Sequence, residues 1–134
     1  MAGPAAQGES LVRYVVQEHS GFGPVHYDFM VEQGGVLWTW QLDLPPDRWR
    51  IGPVAARRIG DHRLAYLDYE GPISGNRGRC RIVARGRCRV VQVEPGAVRL
   101  ELSEGAMAGT AELVRTAPDS TLWELRVLCG PASA

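Results

Sequence analysis

Residues 11–42 read LVRYVVQEHSGFGPVHYDFMVEQGGVLWTWQL, three apolar runs separated by two glycine-containing connections. The runs 11–18, 25–32 and 36–42 are rich in β-branched and aromatic residues, which favour strands. Between the second and third runs, Gln33-Gly34-Gly35 has the composition of a hairpin turn. The stretch therefore predicts three successive strands.

The rest of the chain continues this pattern. Further strands are predicted at 62–69, 79–84, 88–93, 97–102, 110–115 and 122–128, with glycine or proline turns between them. Residues 45–53 are predicted to be a loop, and Arg85-Gly86 a turn. Since no long segment shows a helical period, the sequence predicts an all-β fold, either a barrel or a sandwich.

Composition limits the function further. The 134 residues fit one domain, 1–134, with flexible ends at 1–10 and 130–134, and the formal net charge is zero. All basic residues are arginine, which excludes a P-loop lysine and Schiff-base chemistry. Three cysteines without regular spacing predict packing rather than disulfides. Without a signal peptide or an apolar span, we expect a cytoplasmic protein with no membrane association, and a monomer.

The first two runs contain a possible metal site. His26 and Asp28 lie two apart in a strand and so share a face, and the short 20–24 connection can fold His19 beside His26. Gln17 shares the His19 face. Two imidazoles and a carboxylate with open positions are typical of catalytic sites for Mn²⁺, Fe²⁺ or Zn²⁺. The alternative is that His19 caps a turn and His26 lies on a solvated face.

The third histidine, His62, is followed four residues later by Tyr66, on the same face of a regular strand. A structural role for this pair is one interpretation. The other is that His62 acts as a donor or general acid beside a metal-bound phosphate ester.

Six arginines occupy odd positions between residues 77 and 89, which predicts a basic strand face or the two faces of a hairpin. Such a stripe fits a nucleic-acid backbone, and it equally fits a solvated edge that discourages strand pairing.

Several motifs together resemble the 3′-phosphoesterase domain of bacterial DNA ligase D. They are RYVVQEH at 13–19, HYDF at 26–29, GVLWTW at 35–40, DHRLAY at 61–66, DYEG at 68–71, LELSEGAMAG at 100–109, AELVRT at 111–116 and WEL at 123–125. The order is collinear over 13–125.

This resemblance implies a compact antiparallel β-barrel of about eight strands with short helical turns in loops. It implies Mn²⁺-dependent removal of a 3′-terminal ribonucleotide or 3′-phosphate from DNA ends, with Zn²⁺ or another divalent transition metal as alternatives. The implied partners are DNA 3′ ends or RNA/DNA primer-templates and ligase or end-joining proteins. The implied residues are His19, His26 and Asp28 as metal ligands, His62 and Tyr66 as phosphate-contacting catalytic residues, and Gln17 in support.

Several positions depart from that family. Its arginine after HYDF is Met30 here, a basic position is Asp43, an acidic position is Gly60 and a second arginine position is Val54. We expect Arg58, which shares a face with His62 by strand parity, or Arg13 to bind phosphate instead. A second hypothesis is a weakened or inactive metal-binding module that binds nucleic-acid ends or a repair partner.

Overall fold

A computed structural model describes residues 11–103 and 107–128, so the predicted flexible ends 1–10 and 130–134 lie outside the described residues. Within this part the fold consists of nine strands and two short 3₁₀ helices, Pro46–Arg48 and Leu64–Leu67. The strands are β1 Leu11–Ser20, β2 His26–Gln33, β3 Val36–Leu42, β4 Val54–His62, β5 Gly71–Pro72, β6 Arg79–Glu94, β7 Ala97–Leu102, β8 Gly109–Arg115 and β9 Leu122–Leu128. No helix in this part is long and apolar enough to cross a membrane.

All neighbouring strands pair antiparallel, in the order β1-β2-β3-β4-β9-β8-β7-β6-β5. An additional β1–β6 pairing closes eight of them into a ring. The all-β antiparallel fold with short helical turns in its loops is thus confirmed, although the ring is not a regular barrel.

Two predicted elements are wrong. Residues 62–69 do not form a strand: β4 ends at His62 and the chain turns into the 3₁₀ helix Leu64–Leu67. The predicted turn at Arg85-Gly86 lies inside β6, which runs unbroken through both strands predicted at 79–84 and 88–93. Pairing with the whole length of β1 holds β6 extended across its glycine.

Register defines the two faces of β1 to β4. Val16, Phe29 and Trp40 are opposite one another across β1, β2 and β3, and all three are fully buried in the main core. The adjacent row, Gln17, Asp28 and Gln41, therefore points to the other side, which we call the outer face. Opposite residues in an antiparallel pair share a face, so each row assigns its side chains either to the core or to the outer face.

A smaller apolar cluster lies on the outer face. Val15, Met30, Leu37 and Leu67 are buried there, with Tyr66 and Ile82 packed against them. Leu67 belongs to the 3₁₀ helix, so this cluster attaches the 64–67 turn to the sheet. The turn is thereby held above the strands that carry His19, His26 and Asp28.

The two described cysteines are packing residues. Cys80 and Cys88 are free and buried, and burial raises the pKa of both thiols, that of Cys88 to about 12. Thiols with such pKa values are poor nucleophiles at neutral pH. Cys129 lies outside the described residues.

Candidate metal centre

His19 and His26 meet at the end of the β1–β2 hairpin. They are opposite each other in the register, and their rings contact edge to face with centroids 4.6 Å apart. His19 Nδ1 lies 3.0 Å from His26 Nε2. The short 20–24 connection therefore brings the two imidazoles together, as the spacing predicts.

Backbone carbonyls hold the outward nitrogens of both rings. His19 Nε2 lies 2.6 Å from the Arg77 carbonyl oxygen, and His26 Nδ1 lies 3.4 Å from that of Pro24. A carbonyl oxygen only accepts hydrogen bonds, so the tautomers that satisfy both carbonyls have each ring's hydrogen on these outward nitrogens. In those tautomers the facing atoms, His19 Nδ1 and His26 Nε2, both present a lone pair.

The 74–78 loop lies directly against the end of β1 that carries His19. Gly78 has a φ of 85°, and a Cβ added there would lie 2.1 Å from the Ser20 carbonyl oxygen. Only glycine permits this approach of the 74–78 loop to the end of β1. The approach places the Arg77 carbonyl on His19.

Asp28 completes the cluster. Its side chain is largely buried, and Oδ1 lies 3.7 Å from His26 Nε2 without any hydrogen-bond partner in the described part of the chain. Burial raises the pKa of Asp28, and His26, His62 and His19 partly oppose that rise. A buried carboxylate oxygen without a donor is costly unless a cation satisfies it.

The three side chains fit a metal ion. One ligand atom from each of His19, His26 and Asp28 lies within 4.8 Å of the others. Two nitrogens bound at right angles to one ion would be about 3.0 Å apart, close to the separation of the two facing nitrogens. A carbonyl contact on the second nitrogen of each ring is a usual way to orient a metal-binding histidine. Mixed nitrogen and oxygen donors suit Mn²⁺, Fe²⁺ or Zn²⁺.

His62 and Tyr66 lie beside this cluster, but the two residues are not on one regular strand as predicted. Their rings contact edge to face at 5.7 Å, because the 3₁₀ helix folds Tyr66 back over His62. His62 Nδ1 lies 3.0 Å from the Gly60 carbonyl oxygen and 3.1 Å from Thr39 Oγ1. Nδ1 therefore carries a hydrogen, which leaves Nε2 as the atom that can exchange a proton.

Gln17 connects the sheet to the 64–67 turn. It is buried, opposite Asp28 in the register, and Nε2 donates to the carbonyl oxygens of Tyr66 and Tyr69, both at 2.8 Å. One amide group thus satisfies two loop carbonyls and fixes the height of Tyr66 above the outer face.

Replacing Gln17 with leucine should lower the free energy of unfolding by about 2–3 kcal/mol, because two part-buried carbonyls lose the amide of Gln17 as their donor. Urea unfolding measures this. The matched control is Gln92→Leu, an exposed glutamine on β6 whose loss should change stability by less than about 0.5 kcal/mol. Equal effects of the two substitutions would show that the Gln17 bonds do not hold the turn.

The structure does not bring Arg58 to the cluster. A register shift between Leu37 and Thr39 adds a residue to β4, so His62 and Arg58 lie on opposite faces and their predicted shared face is wrong. Arg58 is opposite Trp40, and its guanidinium stacks on Trp40, Trp38 and Trp123 at 4.5, 5.1 and 6.0 Å. Burial lowers its pKa.

Arg13 is on the outer face but is bonded elsewhere. Its guanidinium donates to Asp68 Oδ1 at 2.6 Å and Oδ2 at 3.4 Å, and this contact holds the pKa of Asp68 below its usual range. Met30 is buried in the outer apolar cluster, and Asp43 is exposed just after β3. The phosphate-binding roles expected of Arg13 and Arg58 stay predictions.

The arginine stripe is divided. The pairing of β1 with β6 shifts register between Val16 and Gln17. On one side of this shift Arg81 is opposite Glu18. On the other side Arg85 and Arg87 are opposite Val15 and Arg13. The predicted single basic face is therefore wrong for the stripe as a whole, and so is the predicted hairpin.

Sequence reasoning missed Thr39 and Gln41 on the outer face, and it favoured Arg58 over its neighbour Arg57, which is the one on this face. Thr39 contacts His62, and Gln41 lies opposite both Asp28 and Arg57. The alignment of Arg57 with the cluster depends on β4, which begins at Val54. The strand predicted from the sequence begins only at His62, so it does not include Arg57.

The fold and the cluster together define a small all-β protein with a candidate transition-metal centre of two histidines and one aspartate. No protein-family model matches the chain. The chain is similar to part of the multifunctional non-homologous end joining protein LigD of Pseudomonas aeruginosa, with 30% identity over 124 residues, 84% of this chain and 14% of the relative. It is 32% identical over 117 residues to LigD of Mycobacterium bovis and of Mycobacterium tuberculosis, 81% of this chain and 15% of each relative. The chain is thus homologous to a segment of LigD and spans about a seventh of the length of these relatives.

Proposed function

We propose that this chain is a metal-dependent phosphoesterase that removes a 3′-terminal ribonucleotide or 3′-phosphate from DNA ends during repair of the non-homologous end-joining type. The observation that carries the proposal is the convergence of His19 Nδ1, His26 Nε2 and Asp28 Oδ1, an oxygen without a hydrogen-bond partner among the described residues. The similarity to a named end-joining protein supports DNA ends as the substrate.

His19, His26 and Asp28 would hold the ion, which we take to be Mn²⁺, with Zn²⁺ or another divalent transition metal as alternatives. When bound, it supplies Lewis-acid polarisation of a phosphoryl oxygen and lowers the pKa of water. The two carbonyl contacts of His19 and His26 keep their ring nitrogens aimed at the site.

His62 supplies a proton to the leaving group, and Tyr66 contacts the phosphate. The oxygen of a water molecule bonds to phosphorus and releases a proton to solvent, the phosphorus–oxygen bond to the leaving group breaks, and the leaving oxygen takes up a proton. His62 holds its Nδ1 hydrogen on Gly60, so in the imidazolium form Nε2 has a proton to give to that oxygen. The Tyr66 hydroxyl, placed by Gln17 and by its contact with His62, donates to a phosphate oxygen.

The test is incubation with Mn²⁺ and duplexes that end in a 3′-ribonucleotide or a 3′-phosphate. The expected product is a 3′-hydroxyl end, and His62→Ala should slow its formation by about 10²–10⁴-fold. Arg99→Ala, which removes an exposed pair with Glu112 on β7 and β8, is the control that should leave the rate unchanged. Absence of product from the wild-type protein would overturn the proposal.

A second function is favoured by one observation. Positions 30 and 43, which are basic in the family that the sequence resembles, are Met30 and Asp43 here, so neither can supply a positive charge to a phosphate. This suits a module that binds a metal ion together with nucleic-acid ends, or with a ligase or end-joining partner, without turnover. Tight binding of a 3′-phosphate duplex with no hydrolysis would support it over the enzyme.

A further inference from the structure

A phosphate group beside the metal ligands requires a positive side chain on the same face. A phosphoester carries charge on several oxygens, and charge-assisted hydrogen bonds from arginine are the usual way to bind them. Arg58 is excluded because it stacks on tryptophans on the core face. Arg13 is engaged with Asp68, four residues along β1 from Gln17.

The register supplies another arginine. Gln17 is opposite Asp28 on β2, Asp28 is opposite Gln41 on β3, and Gln41 is opposite Arg57 on β4. These four residues form one continuous row across the outer face. Arg57 therefore points to the side of the sheet that carries the cluster, whereas its neighbour Arg58 points to the core.

The distance suits a ligand between the two ends of that row. Arg57 and Asp28 are two strands apart, about 9.5 Å between Cα atoms. A phosphate bound next to Asp28 would occupy part of this gap, and a guanidinium on its long side chain would span the rest. Gln41, in the middle of the row, has an amide that can donate to the same group.

Arg57 is also available. Its side chain is exposed, and no residue in 11–103 or 107–128 forms an ion pair or hydrogen bond with its guanidinium. Arg63 is the competing cation on this side, but its guanidinium lies 5.9 Å from the Tyr66 ring and engages that face. Arg77 is likewise occupied, because its guanidinium donates to Ser74.

We propose that the Arg57 guanidinium binds the non-bridging oxygens of the phosphate held at His19, His26 and Asp28. The inference rests on the proposed function and adds to it the group that recognises the phosphate. It explains how a chain with methionine at position 30 can still bind a terminal phosphate.

The experiment compares the affinity of the Mn²⁺-loaded protein for two matched DNA duplexes, one ending in 3′-phosphate and one in 3′-hydroxyl, by stopped-flow fluorescence anisotropy recorded before hydrolysis converts the first duplex into the second. The wild-type protein should prefer the phosphate end. Arg57→Ala should reduce that preference by roughly 10- to 100-fold, and Arg57→Lys, which keeps the charge without the two-pronged contact, by less. Arg99→Ala is the control, since Arg99 is an exposed arginine on β7 paired with Glu112. In kinetics, Arg57→Ala should raise KM for the phosphate end, while metal content stays at the wild-type value.

Each outcome has a separate meaning. If the wild-type protein neither prefers the 3′-phosphate nor hydrolyses it, the proposed function fails, and the inference fails with it. If the wild-type protein prefers and hydrolyses it but Arg57→Ala does the same, only the Arg57 inference is overturned. Loss of the preference in Arg63→Ala with full retention in Arg57→Ala would also overturn it and assign the contact to Arg63.

Discussion

Replacing Asp28 with asparagine is expected to slow 3′-end hydrolysis by at least about 10³-fold while making the metal-free protein more stable by about 1–3 kcal/mol. The two effects have opposite signs because the carboxylate has two different partners. Without an ion the carboxylate is largely buried, and no residue in 11–103 or 107–128 donates a hydrogen bond to Oδ1, so its charge destabilises the native state. With the ion bound, the same charge is the reason for the binding.

The measurement has two parts. Urea unfolding in the presence of a chelator gives the stability of wild type and Asp28→Asn, and isothermal titration with Mn²⁺ gives the affinity of each. Asp61→Asn is the matched control, because Asp61 is exposed and 3.8 Å from Arg58 at the end of β4. It should change neither quantity beyond about 0.5 kcal/mol. A destabilised Asp28→Asn protein that still binds Mn²⁺ would show that Asp28 is a structural residue and not a ligand.

Opposite signs of this kind distinguish a functional site from ordinary packing. A residue selected for stability loses stability when it is replaced, whereas a buried, unpaired charge is retained only for what it binds. His19 and His26 contribute to the same situation, since their facing nitrogens form a lone-pair contact that only a proton or a metal ion satisfies.

The strands that could be predicted from the sequence are those whose pattern is local. The strands predicted at 36–42, 97–102 and 122–128 coincide with β3, β7 and β9, because alternation between two turn signals fixes both ends. β4 was missed because Val54-Ala-Ala-Arg-Arg-Ile-Gly has adjacent arginines in place of alternation. Its partner strands β3 and β9, which are distant in sequence, hold it extended.

The same distinction applies to the site. His19, His26 and Asp28 come together through one hairpin, so strand parity and a short loop were enough to predict their proximity. The face of Arg58 was predicted wrongly because a bulge between β3 and β4 changes parity, and a bulge depends on the partner strand as much as on its own residues. Arg57 required the register of four strands, which no local pattern contains.

The substitution Met30→Arg, which restores the arginine of the family that the sequence resembles, is expected to destabilise this protein by about 3–5 kcal/mol, since burying a charge without a partner costs several kcal/mol. Met30 is only 1% exposed, and Val15, Leu37 and Leu67 pack around it. The methionine is thus part of the cluster that attaches the 64–67 turn, and a guanidinium there must either lose its hydration or separate the turn from the sheet.

Urea unfolding of three variants tests this. Met30→Leu, which keeps an apolar side chain of similar volume, should cost less than about 1.5 kcal/mol. The double variant Met30→Arg/Leu67→Ala should lose less free energy of unfolding than the sum of the two single variants, because the smaller side chain at position 67 opens a route for the guanidinium to water. A Met30→Arg protein as stable as the wild type, with tighter binding of 3′-phosphate ends, would contradict the expectation. It would mean that the outer apolar cluster opens readily and that position 30, rather than Arg57, is the natural place for the phosphate-binding cation.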